Sequence, residues 1–252
     1  MKLLLHLSFL GTNYCGYQIQ PNGITVQQRL NEATKALFGF DCDIVGCSRT
    51  DSGVHANQFC VTVAEKGKNS LTTTIPTDRI PLAIAQFLPE DISVTHAMTV
   101  SDEFHSRYDV KYKEYVYRIW NRPERNPFLS DRTWHYPRPI SDEDLIRMNK
   151  AAQSWIGTMD FASYMAADSK IKDSVRTVYE AEITRDGDIV EFRVSANGFL
   201  YHMVRILTGT LIAVAEGKIE PAEIEKITHS KDRRLAGITA PPQGLFLNRV
   251  VY

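Results

Sequence analysis

A short polar stretch early in the chain, GCSRTDSGVHANQF, concentrates side chains that could do chemistry. It places Arg49, Asp51 and His55 between two apolar runs, where an ordinary connection needs only a turn residue or two. A carboxylate such as Asp51 can be a nucleophile, a general base or a metal ligand. An arginine can orient a phosphate or fill the space left by an extruded base, and a histidine can transfer protons or brace a loop.

The same residues also have an ordinary structural explanation. The sequence Asp51-Ser52-Gly53 is typical of a turn whose carboxylate caps a backbone N–H. Gly46 and Gly53 permit a tight or positive-φ backbone, so a side chain between them can be held outward. A catalytic loop and a plain turn therefore both stay open from this stretch alone.

The composition of the whole chain narrows the class of protein. Its 252 residues, 43% apolar and 23% charged, are typical of a globular protein with one large or two small domains. No apolar run approaches the ~20 residues that cross a bilayer. The opening KLLLHLSFLG is interrupted by His6 and Ser8, which predicts a strand rather than a signal peptide. The four scattered cysteines favour reduced thiols in a cytoplasmic protein over a disulfide framework or a zinc site.

Charge gives a mixed indication about nucleic-acid partners. The net charge of −1 argues weakly against them, because domains that bind nucleic acid are usually basic. The window from Phe104 to Arg138, however, contains eight Lys or Arg residues and four acids. Seven Tyr or Trp residues are interleaved with them. Aromatic rings within a basic surface suit single-stranded RNA, although strands with solvated lysines and buried tyrosines would give the same pattern.

Hydrophobic periodicity predicts an α+β protein with largely antiparallel pairing. The expected elements of the first half are a strand at Leu3–Phe9, a helix from Thr25 to Gly39, strands at Asp43–Ser48 and Gln58–Ala64, a helix at Ile80–Leu88 and a strand at Ile92–Val100. Those of the second half are a strand at Val110–Trp120, a helix capped by Ser141, a hairpin around Asp186-Gly187, helices at Phe199–Ala215 and Glu220–His229, and a strand at Gly244–Val251. The hairpin rests on the Asp-Gly turn signal.

Six motifs together resemble the tRNA pseudouridine synthase A family. GCSRTDSGVHANQ resembles the family signature G-x-G-R-T-D-[AS]-G-V-H-A-x-x-Q. The other five are FHSRYDVKYKEYVYRI, MDFASY, SVRTV, FLYHMVRILTG and APPQGLFLNRVVY. Their order and spacing hold from Leu3 to Tyr252, so the resemblance covers essentially the whole chain.

The resemblance implies an enzyme that isomerises uridine to pseudouridine in the anticodon stem-loop of tRNA, at tRNA positions 38, 39 and 40. It implies no metal, nucleotide or redox cofactor. It further implies a cytoplasmic homodimer that grips tRNA across both subunits and has no membrane partner.

The resemblance also assigns roles to single residues. Asp51 matches the catalytic aspartate, which either adds covalently, at C6 of the base or C1′ of the sugar, or stabilises and deprotonates a glycal intermediate. Arg205 matches the arginine that pairs with this aspartate, and an unpaired guanidinium among its apolar neighbours would be costly. Tyr115 matches the residue that stacks on the uracil. Alternation puts Tyr117 on the same face of the strand, so the pattern alone does not separate the two tyrosines.

Four more residues receive supporting roles from the resemblance. Arg49 matches the arginine that inserts where the flipped base leaves the stack. His55 and Gln58 are expected to brace the loop rather than to catalyse, and Leu245 to line the pocket.

One position departs from the family signature. Ser48 stands where the family usually has glycine, directly before R-T-D. If that glycine has positive φ, serine there would be strained and could aim Arg49 differently.

The expected fold is two α+β halves joined into one mixed, mostly antiparallel sheet flanked by helices, with a central catalytic cleft. Residues 1–104 would carry the Asp51 loop, and residues 105–252 would carry Tyr115 and Arg205. Two other functions stay open. One is a tRNA-binding module or RNA chaperone without catalysis, and the other is a metal-dependent hydrolase that uses Asp51 and His55.

Overall fold

The computed structural model describes residues 1–167 and 171–252, which form two compact units. Unit 1 comprises Met1–Lys111 and Leu247–Tyr252, and unit 2 comprises Tyr112–Phe246. The chain thus enters unit 2 once and returns to unit 1 for its last residues. The functional division into residues 1–104 and 105–252 stays a prediction.

Unit 1 is an antiparallel sheet with helices. Its elements are β1 (Lys2–Phe9), α1 (Val26–Phe38), β2 (Cys42–Gly46), β3 (His55–Glu65), α2 (Ile80–Ala85) and β4 (Ile92–Val100). β1 lies between β4 and β3, and β2 pairs with the other side of β3. The buried Leu5 faces Val61 on one neighbouring strand and Ala97 on the other, so apolar side chains meet across the centre of the sheet.

Unit 2 combines mostly antiparallel strands with helices. Its elements are β5 (Tyr112–Trp120), β6 (Trp134–His135), α3 (Asp142–Gln153), β7 (Gly157–Asp160), β8 (Val175–Asp186), β9 (Ile189–Ala196), α4 (Met203–Ala215) and α5 (Ile224–Ser230). The order β5-β9-β8-β7 is antiparallel throughout, and the short β6 runs parallel to β5. The last strand, β10 (Leu245–Val251), begins in unit 2 and ends in unit 1.

Local signals in the sequence explain most element ends. The Thr25 side chain accepts a hydrogen bond from the Gln28 N–H and begins α1, and Gly39 ends it at φ 80°. Ser141 begins α3 with a reciprocal capping box to Asp144. Gly187, at φ 55°, makes the tight turn between β8 and β9.

The predicted α+β class with mostly antiparallel pairing is confirmed. Several predicted boundaries were wrong, and two of them lie next to candidate site residues. β3 begins at His55 rather than Gln58, so His55 belongs to the sheet and not to the loop. α4 begins at Met203 rather than Phe199, because His202 takes a left-handed conformation at φ 60° that the helix cannot include. Within the described residues, no helix has the length and apolar character needed to span a membrane.

Candidate active site

The Asp51 loop, residues 47–54, is held by a second loop of unit 1 that connects β1 to α1. The backbone N–H of Tyr17 donates to the Thr50 carbonyl at 3.2 Å. The N–H of Gly53 donates in turn to the Tyr14 carbonyl at 3.3 Å. The two loops therefore exchange main-chain hydrogen bonds on both sides of Asp51, which fixes the backbone that carries the carboxylate.

Glycines make this close approach of the two loops possible. Gly16, at φ 81°, lies so near the Thr50 carbonyl that an added Cβ would overlap it. Gly11 lies equally near the Val54 carbonyl. Gly53 takes φ 77° directly after the Asp51-Ser52 step. A side chain at Gly11 or Gly16 would displace the loop, so the position of Asp51 depends on glycines far from it in sequence.

His55 and Gln58 lie in the sheet under the loop. The His55 ring is fully buried, and its Nδ1 accepts the Gly11 N–H at 2.9 Å. The Gln58 amide lies 3.3 Å from His6 Nδ1, and its carbonyl accepts the Val250 N–H at 3.2 Å. Both side chains thus join strands and loops of unit 1, which is the geometry of a brace.

The side chains at the tip of the Asp51 loop are more exposed than the buried His55. Arg49 is exposed and makes no hydrogen bond or ion pair with any residue that the structure describes, and Asp51 is half-buried. Ser48 is not strained, since the only non-glycine residues with positive φ in the described ranges are His202 and Lys231. The departure from the family glycine therefore carries no backbone penalty at Ser48.

In unit 2, the two tyrosines that share a face of β5 are both buried, and they pack against different groups. Tyr117 is fully buried, and its hydroxyl donates to the Pro241 carbonyl at 2.7 Å. Burial raises the pKa of the Tyr117 hydroxyl far above its usual value, and the nearby Arg205 opposes that rise. Tyr115 is 6% exposed and packs edge-to-face on Phe199, with ring centroids 4.9 Å apart. Tyr117 is therefore bound to the backbone of its own unit.

Arg205 lies in the first turn of α4, and a neighbouring segment orients it. Its Nε donates to the Ala240 carbonyl at 2.7 Å, and the Ala240 N–H donates back to the Arg205 carbonyl at 3.1 Å. The Nε edge of the guanidinium therefore donates to the protein backbone. The planar group is held in a fixed direction, as recognition of a carboxylate requires.

The segment that orients Arg205, residues 236–241, packs directly on α4. A Cβ at Gly209 of the helix would overlap the Ile238 carbonyl, and one at Gly237 would overlap the backbone of Gly209. The Gly237 N–H donates to Thr210 Oγ1 at 3.0 Å. The segment comes this close because two glycines face each other, and its carbonyls then lie within reach of Arg205 and Tyr117.

Leu245 begins β10 in the same unit and is 6% exposed. Its predecessor Gly244 lies against Tyr117, where an added Cβ would come within 2.6 Å of the ring. This close contact sets Leu245 beside the strand that carries Tyr115.

Comparisons with known proteins identify the family. A family model described as tRNA pseudouridine synthase matches residues 151–252. A protein of Thermoanaerobacter sp. strain X514, named tRNA pseudouridine synthase A, is 42% identical over 251 residues, covering 100% of this chain and 99% of the relative. The chain belongs to the tRNA pseudouridine synthase A family. The resemblance drawn from its six motifs is confirmed.

Other members of the tRNA pseudouridine synthase A family agree over the full length. The protein of that name from Caldicellulosiruptor bescii is 40% identical over 251 residues, covering 100% of this chain and 99% of the relative. The one from Clostridium acetobutylicum is 41% identical over 248 residues, covering 98% of each chain. A chain from a solved Cbf5-Nop10-Gar1 complex aligns with 97% of this chain and 48% of its own, at 13% identity and a TM-score of 0.38. That likeness carries no argument about the site.

Sequence reasoning overlooked the two segments that position the functional groups. Neither the loop with Gly11 and Gly16 nor the segment 236–241 contains a reactive side chain with a catalytic pattern. The first did leave a signal, since about fifteen residues separate β1 from α1, and connections of that length are often functional. The second left none, because its role comes from backbone carbonyls.

Proposed function

We propose that the protein isomerises uridine to pseudouridine in the anticodon stem-loop of tRNA, at positions 38, 39 and 40. The observation that carries the proposal is the R-T-D loop, whose backbone is held on both sides of Asp51 by a second loop. The full-length relatives named tRNA pseudouridine synthase A support the same substrate.

The reaction is an isomerisation. The bond between N1 of uracil and C1′ of ribose breaks, the bound base rotates, and C5 bonds to C1′. The C5 proton then leaves and N1 takes up a proton, so that no atom is gained or lost. We assign Asp51 as the nucleophile, adding at C6 or at C1′. Its alternative role is to stabilise and deprotonate a glycal intermediate. Either role requires a carboxylate in a defined position, which the hydrogen bonds to Thr50 and Gly53 supply.

The remaining groups serve binding and orientation in this proposal. Tyr115 stacks on the uracil, and Arg205 keeps Asp51 ionised by pairing with it when the substrate excludes water. Arg49 enters the space that the flipped uridine vacates, and it is available for this because it has no hydrogen-bond or ion-pair partner among the described residues. Leu245 lines the pocket of the base.

His55 and Gln58 act as positioning residues, because their polar groups are bonded within unit 1. The predicted central cleft, the homodimer and the cytoplasmic location remain part of the proposal. A homodimer would let a chain of net charge −1 assemble one basic surface from two copies.

The test incubates the purified protein with unmodified tRNA and EDTA and maps pseudouridine by chemical labelling and primer extension. We expect modification at positions 38 to 40 that survives EDTA. Asp51→Asn should abolish it while tRNA binding is largely kept. A fully active Asp51→Asn variant would remove Asp51 from the mechanism.

Two further variants separate chemistry from folding. Tyr115→Phe keeps the ring that stacks but removes the hydroxyl, so a loss of rate without a loss of tRNA affinity would assign proton handling to it. Arg205→Ala should slow the reaction and lower stability, because the Ala240 carbonyl loses its donor. An unchanged rate would show that Asp51 needs no such partner.

The same experiment decides between the alternatives. A tRNA-binding module or chaperone would bind tRNA without producing pseudouridine. A metal-dependent hydrolase would lose its activity in EDTA. The buried His55, whose Nδ1 is already bonded to Gly11, is poorly placed to serve as a ligand with Asp51.

A further inference from the structure

A second group of side chains in unit 1, outside the residues assigned above, is arranged for contact with RNA. His105, Arg107 and Tyr108, hereafter the aromatic platform, lie between β4 and β5. Tyr108 is 75% exposed. The rings of His105 and Tyr108 stack with centroids 4.3 Å apart and planes 34° apart. The Arg107 guanidinium carbon lies 5.9 Å from the Tyr108 ring centroid.

The platform is rigidly anchored although its rings face solvent. Ser106, between His105 and Arg107, is fully buried, and its hydroxyl donates to the Val45 carbonyl at 2.6 Å. The Tyr252 hydroxyl donates to the Ser106 carbonyl at 2.8 Å. Val45 lies at the end of β2, directly before the chain enters the Asp51 loop. The anchor therefore fixes the platform to the strand that leads into that loop.

Hydrogen bonds within the platform fix its own turn. The His105 N–H donates to the Asp109 carboxylate at 2.9 Å, and the Arg107 N–H donates to His105 Nδ1 at 3.1 Å. The Tyr108 N–H donates to the His105 carbonyl at 3.2 Å. Each bond holds His105 or Tyr108 in place before any ligand arrives, which lowers the entropy cost of binding.

Burial does not explain the position of these rings. Tyr108 has most of its surface in water, and the Arg107 guanidinium makes no ion pair with any residue in the described ranges. An exposed aromatic ring, backed by a second ring and flanked by an unpaired cation, matches how proteins hold unpaired bases. The base stacks on the ring, and the cation meets the phosphate or the π-face.

We propose that the aromatic platform stacks an unpaired base of the tRNA, one that is distinct from the reacting uridine. The inference rests on the proposed function, because tRNA is the nucleic acid that the enzyme acts on. Tyr108 provides the stacking face, His105 supports it from behind, and Arg107 contacts the adjoining phosphate. The contact orients the tRNA on unit 1 relative to the Asp51 loop.

The experiment measures the Kd of unmodified tRNA transcript by equilibrium filter binding over a range of salt concentrations. Tyr108→Ala should raise Kd about tenfold, and Tyr108→Phe should restore the affinity, because a phenyl ring still stacks. Arg107→Ala should reduce the slope of log Kd against log salt by about 1, and Tyr108→Ala should leave the slope unchanged. Thermal unfolding of each variant checks that the loop remains folded.

Leu82→Ala is the matched control. Leu82 belongs to the same unit and is 74% exposed, but it lies on α2 and has no ring. Its removal should leave the Kd unchanged. An equal loss in Leu82→Ala, a Kd of Tyr108→Ala within about twofold of wild type, or an equal loss in Tyr108→Phe would each overturn the platform. Pseudouridine formation by the wild-type protein is scored separately, so a failure of the proposed function is distinguishable from a failure of the platform.

Discussion

The Asp51 loop of unit 1 and the Arg205 region of unit 2 are each built on a close backbone contact at a glycine, but the surroundings of the two contacts differ. In unit 1, Gly16 lets one loop lie against another, and the carboxylate sits at a half-buried tip. In unit 2, Gly209 lets a segment lie against a nearly all-buried helix, and its Ala240 carbonyl binds the guanidinium. In both places a glycine, which has no reactive group, allows the close backbone contact next to the charged residue.

The two regions also differ in how strongly folding stability should depend on the glycine contact. The contact in unit 1 joins two loops and involves no helix, so we expect its disturbance to alter geometry more than folding. The contact in unit 2 involves α4, which buries ten of its thirteen residues, so its disturbance should affect both.

Among the glycine substitutions, the largest effect on rate is expected from Gly16→Ala. An added Cβ overlaps the Thr50 carbonyl and the residue must keep φ 81°, so the loop has to shift. Displacements of about 1 Å at a reacting group can cost about 100-fold, and we expect a loss of that size in pseudouridine formation. Single-turnover assays on tRNA measure it.

Gly39→Ala is the control for Gly16→Ala. Gly39 has nearly the same φ, 80°, but an added Cβ meets nothing within 4 Å. It should cost about 1 kcal/mol of stability through the left-handed backbone and leave the rate unchanged. Equal rates for the two variants would mean that the contact between the loops does not position Asp51.

The next effect is expected from Gly209→Ala in α4. Helix propensity alone would favour alanine by about 1 kcal/mol. The overlap with the Ile238 carbonyl opposes this, and overpacking should lower the free energy of unfolding by about 2 kcal/mol. Denaturant unfolding measures the stability, and we expect the rate to fall as well because Ala240 moves away from Arg205.

Gly217→Ala, just past the end of α4, tests the same helix without a collision. Its φ is 67°, and an added Cβ meets nothing within 4 Å. It should lose about 1 kcal/mol and keep its rate. A Gly209→Ala variant that is as stable as the wild type would show that the segment 236–241 can shift without lowering the free energy of unfolding.

Two buried tyrosines should differ in the sign of the stability change when each is replaced by phenylalanine. Burial raises the pKa of both Tyr17 and Tyr117. The Tyr117 hydroxyl donates to Pro241, whereas the Tyr17 hydroxyl has no hydrogen-bond partner among the described residues. Tyr117→Phe should therefore destabilise by about 1 kcal/mol, and Tyr17→Phe should be neutral or stabilise by up to about 1 kcal/mol. Shifts of the same sign in thermal unfolding would contradict this assignment.

The smallest effect concerns the pH dependence of unit 1. Burial, and then the charge of the cross-strand His96, lower the pKa of His6. Because the unfolded chain binds this proton at a higher pH than the folded one, stability should fall as the pH drops below about 6.5 and level off below the folded pKa. His96→Gln should make the fall shallower in denaturant titrations between pH 7.5 and 5.5 (about one unit either side of 6.5). An unchanged slope would leave burial as the sole cause.

Much of the fold was predictable because its signals are local. Thr25 and Gly39 mark both ends of α1, and Ile92–Val100 is a strand with the predicted bounds. The helix predicted at Ile80–Leu88 ends earlier, at Ala85. The start of β3 was missed because histidine is polar, and the hydrogen bond that helps His55 to be buried comes from the distant Gly11.

The sequence by itself determined the family and the α+β class, since six motifs and the hydrophobic periodicity are properties of residue type and order. It also supplied the residues that we propose as the reactive groups. The tertiary structure alone decided that the Tyr117 hydroxyl binds the Pro241 carbonyl, that Ser48 is unstrained and that Gly16 and Gly209 allow the close backbone contacts beside Asp51 and Arg205. It also placed His105, Arg107 and Tyr108 together on an anchored turn. These outcomes depend on the close approach of backbone segments that are far apart in the chain. A local pattern of side chains does not show how closely such segments approach each other.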